Sequence, residues 1–336
     1  SFIKPHWPYI APAPYDTMYK PEDALPVVRD ISEKEDPHPL YAAYMNRRVS
    51  KAFSDDEVRN SVMPAYMGLI KQIDDEMGRL FKFLEERGRM DDTMIVFTSD
   101  HGDYLGDHWL GDKDLFHDPS VKIPLIVYDP REAADKTRGT TSDHLVEAVD
   151  IVPTFLDAAG GYPQPHIIDG CSLAPILHGK STEDWRKFVI SEYDHAFLET
   201  RIELNTPPRE CWIRMIFDGR FKYVYSEGFR PMLFDLKSDP NELNDLGSDF
   251  SHEAECRRLE KLLFEWAMKP RQRVTITDRV LEMVDVQRNI SEMGILIGYG
   301  EVEDLADARG GWNDTFAEFN PIRSKTMKRL KVEPKQ

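Results

Sequence analysis

The sequence predicts an α/β chain: a mixed, largely parallel sheet flanked by helices, followed by a smaller C-terminal antiparallel α+β module. Three observations predict it. An amphipathic run with apolar residues every three or four positions leads through a short loop into the unbroken apolar stretch Thr93–Thr98. A second unbroken stretch, Leu125–Tyr128, follows a loop of mixed polarity, and continuous apolar character suits strands covered on both faces. Beyond Thr200 the pattern changes to short strands separated by Asp-Gly and Glu-Gly pairs, the mark of hairpins.

Taken in order, Ser1 to Tyr9 reads as a short strand broken by Pro5 and Pro8, and the Pro- and charge-rich stretch to Val49 reads as a long surface excursion. Ser54 with Glu57 forms a capping-box pattern for a helix. Tyr66, Ile70, Ile73, Met77, Leu80, Phe81 and Leu84 line its dry face, and Gly88 ends it. Pro64 predicts a kink. After the two strands, Thr141–Ala159 reads as a capped helix stopped by Gly160-Gly161, and Phe188–Ser191 as a core strand. Cys211–Phe217, Phe221–Tyr225 and Met232–Leu236 are strands, the first two joined at Asp218-Gly219, and Ser251–Met268 is a helix with Leu259, Leu262, Leu263 and Trp266 inward. The expected organisation is residues 1–200 for the α/β part, 201–269 for the small module and 270–336 for an extended tail.

Composition excludes several classes. With 43 basic and 60 acidic residues the formal charge is −17, the opposite of what a nucleic-acid binder presents. No apolar stretch nears the roughly 20 residues that cross a bilayer, and mean hydropathy is −0.51. Three scattered cysteines, Cys171, Cys211 and Cys256, make no disulfide framework and fit a reducing cytoplasm, with a periplasmic setting open if a leader has been removed.

The chemistry gathers after the first apolar strand. Thr98-Ser99-Asp100-His101-Gly102 sets a carboxylate beside an imidazole at a strand end, where α/β sheets bind ligands. Read alone, the triplet also makes a turn, with Asp100 as cap and Gly102 at positive φ. A divalent metal accepts an oxygen ligand from Asp100 and a nitrogen from His101. Thirteen residues after Asp100, Lys113 could neutralise an anionic substrate held on that metal. His108, His117 and Asp118 share this loop and read as groups that stabilise it, while Asp103 and Asp107 read as turn residues.

The string Ser99-Asp100-His101-Gly102, Leu105-Gly106-Asp107-His108, Lys113 and Ile123-Pro124-Leu125-Ile126-Val127 resembles the C-terminal metal motif of the sulfatases, in the alkaline phosphatase superfamily. Lys4-Pro5-His6-Trp7-Pro8 is similar to the family segment whose histidine reaches the substrate. The resemblance implies an alkaline-phosphatase-like fold, with Asp100 and His101 binding a divalent metal (calcium or manganese, with zinc as a further candidate). It implies that His6 and Lys113 contact the transferred group of a small anionic ester and act as the catalytic pair. His117 to Leu125, Met232 to Leu236, Asp239 to Leu243, Leu263 to Ala267, Pro270 to Arg273 and Gly294 to Tyr299 are most similar to the phosphonate monoester hydrolases and related arylsulfatases. That subgroup implies a homo-oligomer, with the tail as an arm between copies.

Two family elements are missing: an Asp-rich N-terminal strand end, and the Cys/Ser-x-Pro-x-Arg segment that yields the formylglycine nucleophile. Cys171, Cys211 and Cys256 all lack the required followers, so no nucleophile is expected in this chain, which reads as the C-terminal part of such an enzyme. The expected function is metal-dependent hydrolysis of sulfate, phosphonate or phosphate monoesters. The alternatives are a non-catalytic binding or oligomerisation module on the same scaffold, and a superfamily phosphomutase or pyrophosphatase drawing extra ligands from His144, His166 or His178.

Overall fold

The structure is a computed structural model that describes residues 1–164 and 167–269. The tail 270–336, with its Gly294–Tyr299 run, and His166 lie outside the described residues. No described helix is long and apolar enough to cross a membrane. The chain divides into two compact units.

In the larger unit, Ser1–Ala148 with Leu173–Met268, the first residues carry a turn rather than the expected strand: the His6 amide donates to the Ile3 carbonyl at 3.2 Å. The excursion to Val49 also proves more ordered than its composition suggests. Helix α1, Pro39–Asn46, starts with Pro39 at its first turn and His38 accepting the Leu40 amide, and it buries Leu40, Tyr41 and Tyr44. Helix α2, Arg48–Phe53, follows directly.

Helix α3 runs from Asp56 to Glu86, uninterrupted at Pro64. Its cap is Asp55, whose carboxylate accepts the Glu57 amide at 2.8 Å. The expected cap, Ser54, is occupied in the preceding helix, where its hydroxyl donates to the Ser50 carbonyl. Gly88, at φ +62°, closes α3 with a bond to Glu85 O.

Strand β1, Ile95–Thr98, pairs with β2, Leu125–Tyr128, and the pairing is antiparallel. The largely parallel order expected for these strands is therefore not found among the described residues. An unbroken apolar run reports burial and carries no information about strand direction. Ile126 on β2 is 64% exposed, so this two-stranded ribbon is not covered on both faces among the described residues. Between the strands the single turn α4, Asp118–Val121, closes the loop that carries Lys113.

The smaller unit's described part, Val149–Ser172, is built on α5, Ile151–Ala158. The helix expected from Thr141 begins only there. Upstream, Ser142 Oγ takes the His144 amide and ring nitrogen, a local side-chain competitor to the helical ladder. Gly160, at φ +75°, ends α5 as expected.

Past the short helix α6, Ala174–Leu177, the larger unit continues with a four-stranded antiparallel sheet. It comprises β3 (Val189–Asp194), β4 (Trp212–Phe217), β5 (Phe221–Ser226) and β6 (Met232–Asp235), in that order, with helix α7, Glu199–Glu203, between β3 and β4. Period-two alternation divides its side chains. Ile213, Met215, Val224, Met232 and Phe234 join Leu40, Tyr41, Tyr44, Tyr104, Leu110, Leu115 and Phe116 in one core. Ile216, Phe221, Tyr223 and Leu233 pack on Leu259 and Leu263 of α8, Glu253–Met268. One face of this sheet is thus the floor beneath residues 104–116, the loop of the predicted site.

The β4–β5 connection is a two-residue turn, with Asp218 N donating to Phe221 O at 3.2 Å and Gly219 at φ +91°. The next residue, Arg220, forks onto Asp235 of β6 at 3.0 and 2.8 Å. This guanidinium holds the buried Asp235 carboxyl down at about 2, from an ordinary 3.8. A depressed folded-state value contributes stability above the unfolded value that is lost as pH falls toward 2. Asp235→Asn is therefore expected to destabilise the protein at pH 7 and to flatten the loss of stability between about pH 4 and 2, read by denaturant midpoints across that range. An unchanged acid limb would refute the assignment.

Candidate active site

The four residues singled out by sequence converge. Lys113 Nζ is 2.8 Å from His6 Nε2, across 107 residues of chain. The His6 ring meets the His101 ring edge-on, centroids 5.7 Å apart. His101 Nε2 lies 3.5 Å from Asp100 Oδ2. Cation, two imidazoles and carboxylate thus form one continuous row.

Backbone carbonyls fix both rings. His6 Nδ1 donates to the Trp7 carbonyl and His101 Nδ1 to the Gly102 carbonyl, each at 2.8 Å. In the neutral rings this leaves Nε2 as the lone-pair atom. The His6 lone pair accepts from the Lys113 ammonium. That of His101 faces an oxygen of Asp100, whose side chain is 86% exposed and whose other oxygen accepts the His101 amide. A nitrogen and an oxygen electron-pair donor, 3.5 Å apart, are the donor types of a metal ligand pair. They fit part of a divalent site. No set of three or more His, Cys, Asp or Glu suited to a metal occurs among the described residues.

Packing around Gly102 and Ser120 sets the spacing. Gly102 donates its amide to Ser120 O at 2.7 Å, and Ser120 Oγ donates to the Lys113 carbonyl. One buried serine therefore ties the Asp100–His101 segment to the lysine loop. Gly102 is not at positive φ, contrary to the turn reading. A Cβ here would stand 1.9 Å from Pro119 O, so close backbone approach demands the glycine. Tyr9 ties in the third segment by donating to Asp103 Oδ2 at 2.7 Å. Burial pushes the Asp103 carboxyl up to about 6, against that hydrogen bond.

His108, His117 and Asp118 stabilise the loop, as expected. His108 Nδ1 pairs with buried Glu33 at 2.8 Å and stacks on His117, centroids 4.1 Å apart. Burial, with His108 and Lys222 nearby, holds His117 well below the usual histidine range. Asp118 meets Lys222 of β5 at 2.7 Å, and Lys222 also pairs with Glu242 at 2.6 Å. Asp107 accepts the Val28 amide at 2.8 Å. Sequence reasoning missed Glu33, Ser120, Lys222 and Glu242, all polar and buried. The one signal available was a lysine at a core-facing position of an apolar strand. Of the extra ligands weighed for a phosphomutase, His178 pairs with Asp129 at 3.0 Å and His144 with Thr182 at 2.8 Å. The cysteines are unpaired; Cys211 is buried and Cys171 exposed.

The family model described as Sulfatase matches residues 1–162, and that described as N-sulphoglucosamine sulphohydrolase, C-terminal, matches residues 106–269. The multifunctional alkaline phosphatase superfamily protein PehA of Trinickia caryophylli is 34% identical over 284 residues, 80% of this chain and 54% of that protein. An arylsulfatase of Clostridium perfringens is 30% identical over 270 residues, 79% of this chain and 52% of its own. Among solved structures, the phosphonate monoester hydrolase of Silicibacter pomeroyi superposes with a TM-score of 0.74 at 30% identity, covering 81% of this chain and 56% of that one. The phosphonate monoester hydrolase of Agrobacterium radiobacter gives 0.72 at 32% identity, covering 79% and 55%. The chain spans about half the length of the relatives it matches.

Proposed function

Because the chain belongs to the sulfatase family of the alkaline phosphatase superfamily, we propose that it carries the metal-and-lysine side of a site that hydrolyses sulfate, phosphonate or phosphate monoesters. The observation that supports this reading best is the row Lys113–His6–His101–Asp100, which joins a fixed cation to a ligand pair. Hydrolysis of such an ester builds charge on the oxygens of a compact tetrahedral group, and fixed positive charge stabilises it. A divalent ion held by Asp100 and His101 would supply neutralising charge and a point of attachment for the group; oxygen-plus-imidazole ligation suits calcium or manganese, and zinc as a further candidate.

The chain's own residues have distinct parts. Lys113 has three N–H donors, one of them given to His6, and places an ammonium against the anion. His6 aims that ammonium through its Nε2 lone pair. Carbonyls of Trp7 and Gly102 keep both rings turned. The part of nucleophile is assigned to no residue here.

The test uses the full-length protein with p-nitrophenyl sulfate and p-nitrophenyl phenylphosphonate as substrates, before and after chelation and after reloading with calcium, manganese or zinc. Hydrolysis of at least one ester, lost on chelation and restored by one ion, is the expected result. A protein that cleaves neither and binds no divalent ion would overturn the proposal and favour a non-catalytic module.

A further inference from the structure

Lys113 lies between two carboxylates in sequence, Asp112 and Asp114, and both meet the same guanidinium. Arg47, at the break between α1 and α2, pairs with Asp114 Oδ2 and stands 3.8 Å from Asp112 Oδ2. Asp114 is buried and also accepts Tyr193 OH at 2.9 Å, so it anchors the guanidinium. The Asp112 backbone is fixed too, at φ 67° with its carbonyl taking the Tyr104 amide at 2.9 Å. Only its side chain has freedom.

That side chain competes for the site cation. Asp112 Oδ1 is 3.4 Å from Lys113 Nζ, whereas His6 Nε2 is 2.8 Å from it. A carboxylate that closed on the ammonium would neutralise it and draw it from His6. We propose that Arg47 is a positioning residue: by engaging the outer oxygen of Asp112 while locked on Asp114, it restrains Asp112 and leaves the Lys113 ammonium directed at His6 and the anionic ester. This rests on the hydrolase reading above. The planar fork of arginine is essential, because a lysine is a single point charge that can stay on Asp114 but cannot span both carboxylates.

Arg47→Lys is therefore the informative variant, since it keeps buried Asp114 paired. In the metal-loaded full-length protein, kcat/KM for the better ester is expected to fall at least tenfold with the melting temperature nearly unchanged. Adding Asp112→Asn, which tolerates φ 67°, should bring kcat/KM back to within about twofold of the parent. Losses that add in the double variant, or an unchanged kcat/KM in Arg47→Lys, would overturn the proposal. A readout independent of turnover separates it from the hydrolase reading. The His6 Nε2 resonance, in protein labelled with ¹⁵N histidine, should shift in Arg47→Lys and return in the double variant. If the parent hydrolyses nothing but the resonance behaves so, the reading of function fails and the Arg47 assignment stands. If turnover is present and the resonance does not move, the Arg47 assignment fails alone.

Discussion

Asp100→Ala is expected to lower kcat/KM of the full-length protein by about 10²–10³-fold while leaving its melting temperature unchanged. The two halves of this expectation come from the same geometry. The Asp100 side chain is 86% exposed, and its partners are the amide and ring of the next residue, His101. Removing an exposed carboxylate with only local contacts changes stability by about 0.5 kcal/mol or less. As one of two neighbouring lone-pair donors 3.5 Å apart, however, it would supply one of the two metal ligands proposed for this chain. Losing an oxygen ligand weakens the hold on a divalent ion and takes fixed positive charge from where the transferred group gathers negative charge. Partial recovery at high concentrations of the preferred ion should follow. Thermal unfolding, metal titration and steady-state kinetics on one preparation check all three. A variant with parental activity, or one whose activity falls only in step with its folded fraction, would show that Asp100 merely terminates the strand.

The four candidate residues, which the fold brings together, were legible because each sits in a short string: Asp100 and His101 at the end of an apolar strand, Lys113 in the loop beyond, His6 between two prolines. Strands β4 to β6 and helices α3 and α8 were legible for a related reason, since alternation and helical period are written within a dozen residues. What sequence concealed lies at longer range. Ser120 and Arg47 are single polar residues with nothing nearby to distinguish them, and Lys222 is marked only by its place in an apolar strand; all three acquire meaning from partners far along the chain, Lys222 and Asp118 being 104 residues apart. Helix α1 was hidden because Pro39 and the charges before it resemble loop composition, although Pro at a first helical position costs no hydrogen bond. The direction of the β1–β2 pairing was hidden because hydrophobicity records which faces are dry and not which way neighbours run. Asp55 displaced Ser54 as a cap because Ser54 is still bonded within α2's last turn, a competition that composition does not weigh.

Gly102→Ala tests whether the spacing of the site depends on the contact between its two loops. The new Cβ would fall 1.9 Å from the Pro119 carbonyl oxygen and 2.9 Å from its carbon. Both are backbone atoms of the α4 turn, so no side-chain rotation relieves the overlap. The Gly102 segment and α4 must separate, which stretches the 2.7 Å bond from Gly102 N to Ser120 O. α4 is in turn pinned from the other side: Asp118 is held by Lys222, and its amide donates to Glu242 at 2.6 Å. Displacement therefore falls on the Gly102 segment, whose carbonyl turns the His101 ring, and widens its gap to Ser120 and the lysine loop. Overpacking of this kind costs about 1–3 kcal/mol, which for a chain of this size lowers the melting temperature by a few degrees. The functional loss should exceed what the folded fraction explains, because an ammonium moved by about 1 Å costs about 10²-fold in rate. Gly102→Ala is thus expected to weaken divalent-ion binding, since the carbonyl that turns the His101 ring is displaced, and to drop kcat/KM about a hundredfold at temperatures where the protein is fully folded. If ion affinity and kcat/KM both match the parent, the spacing of the site does not depend on this contact.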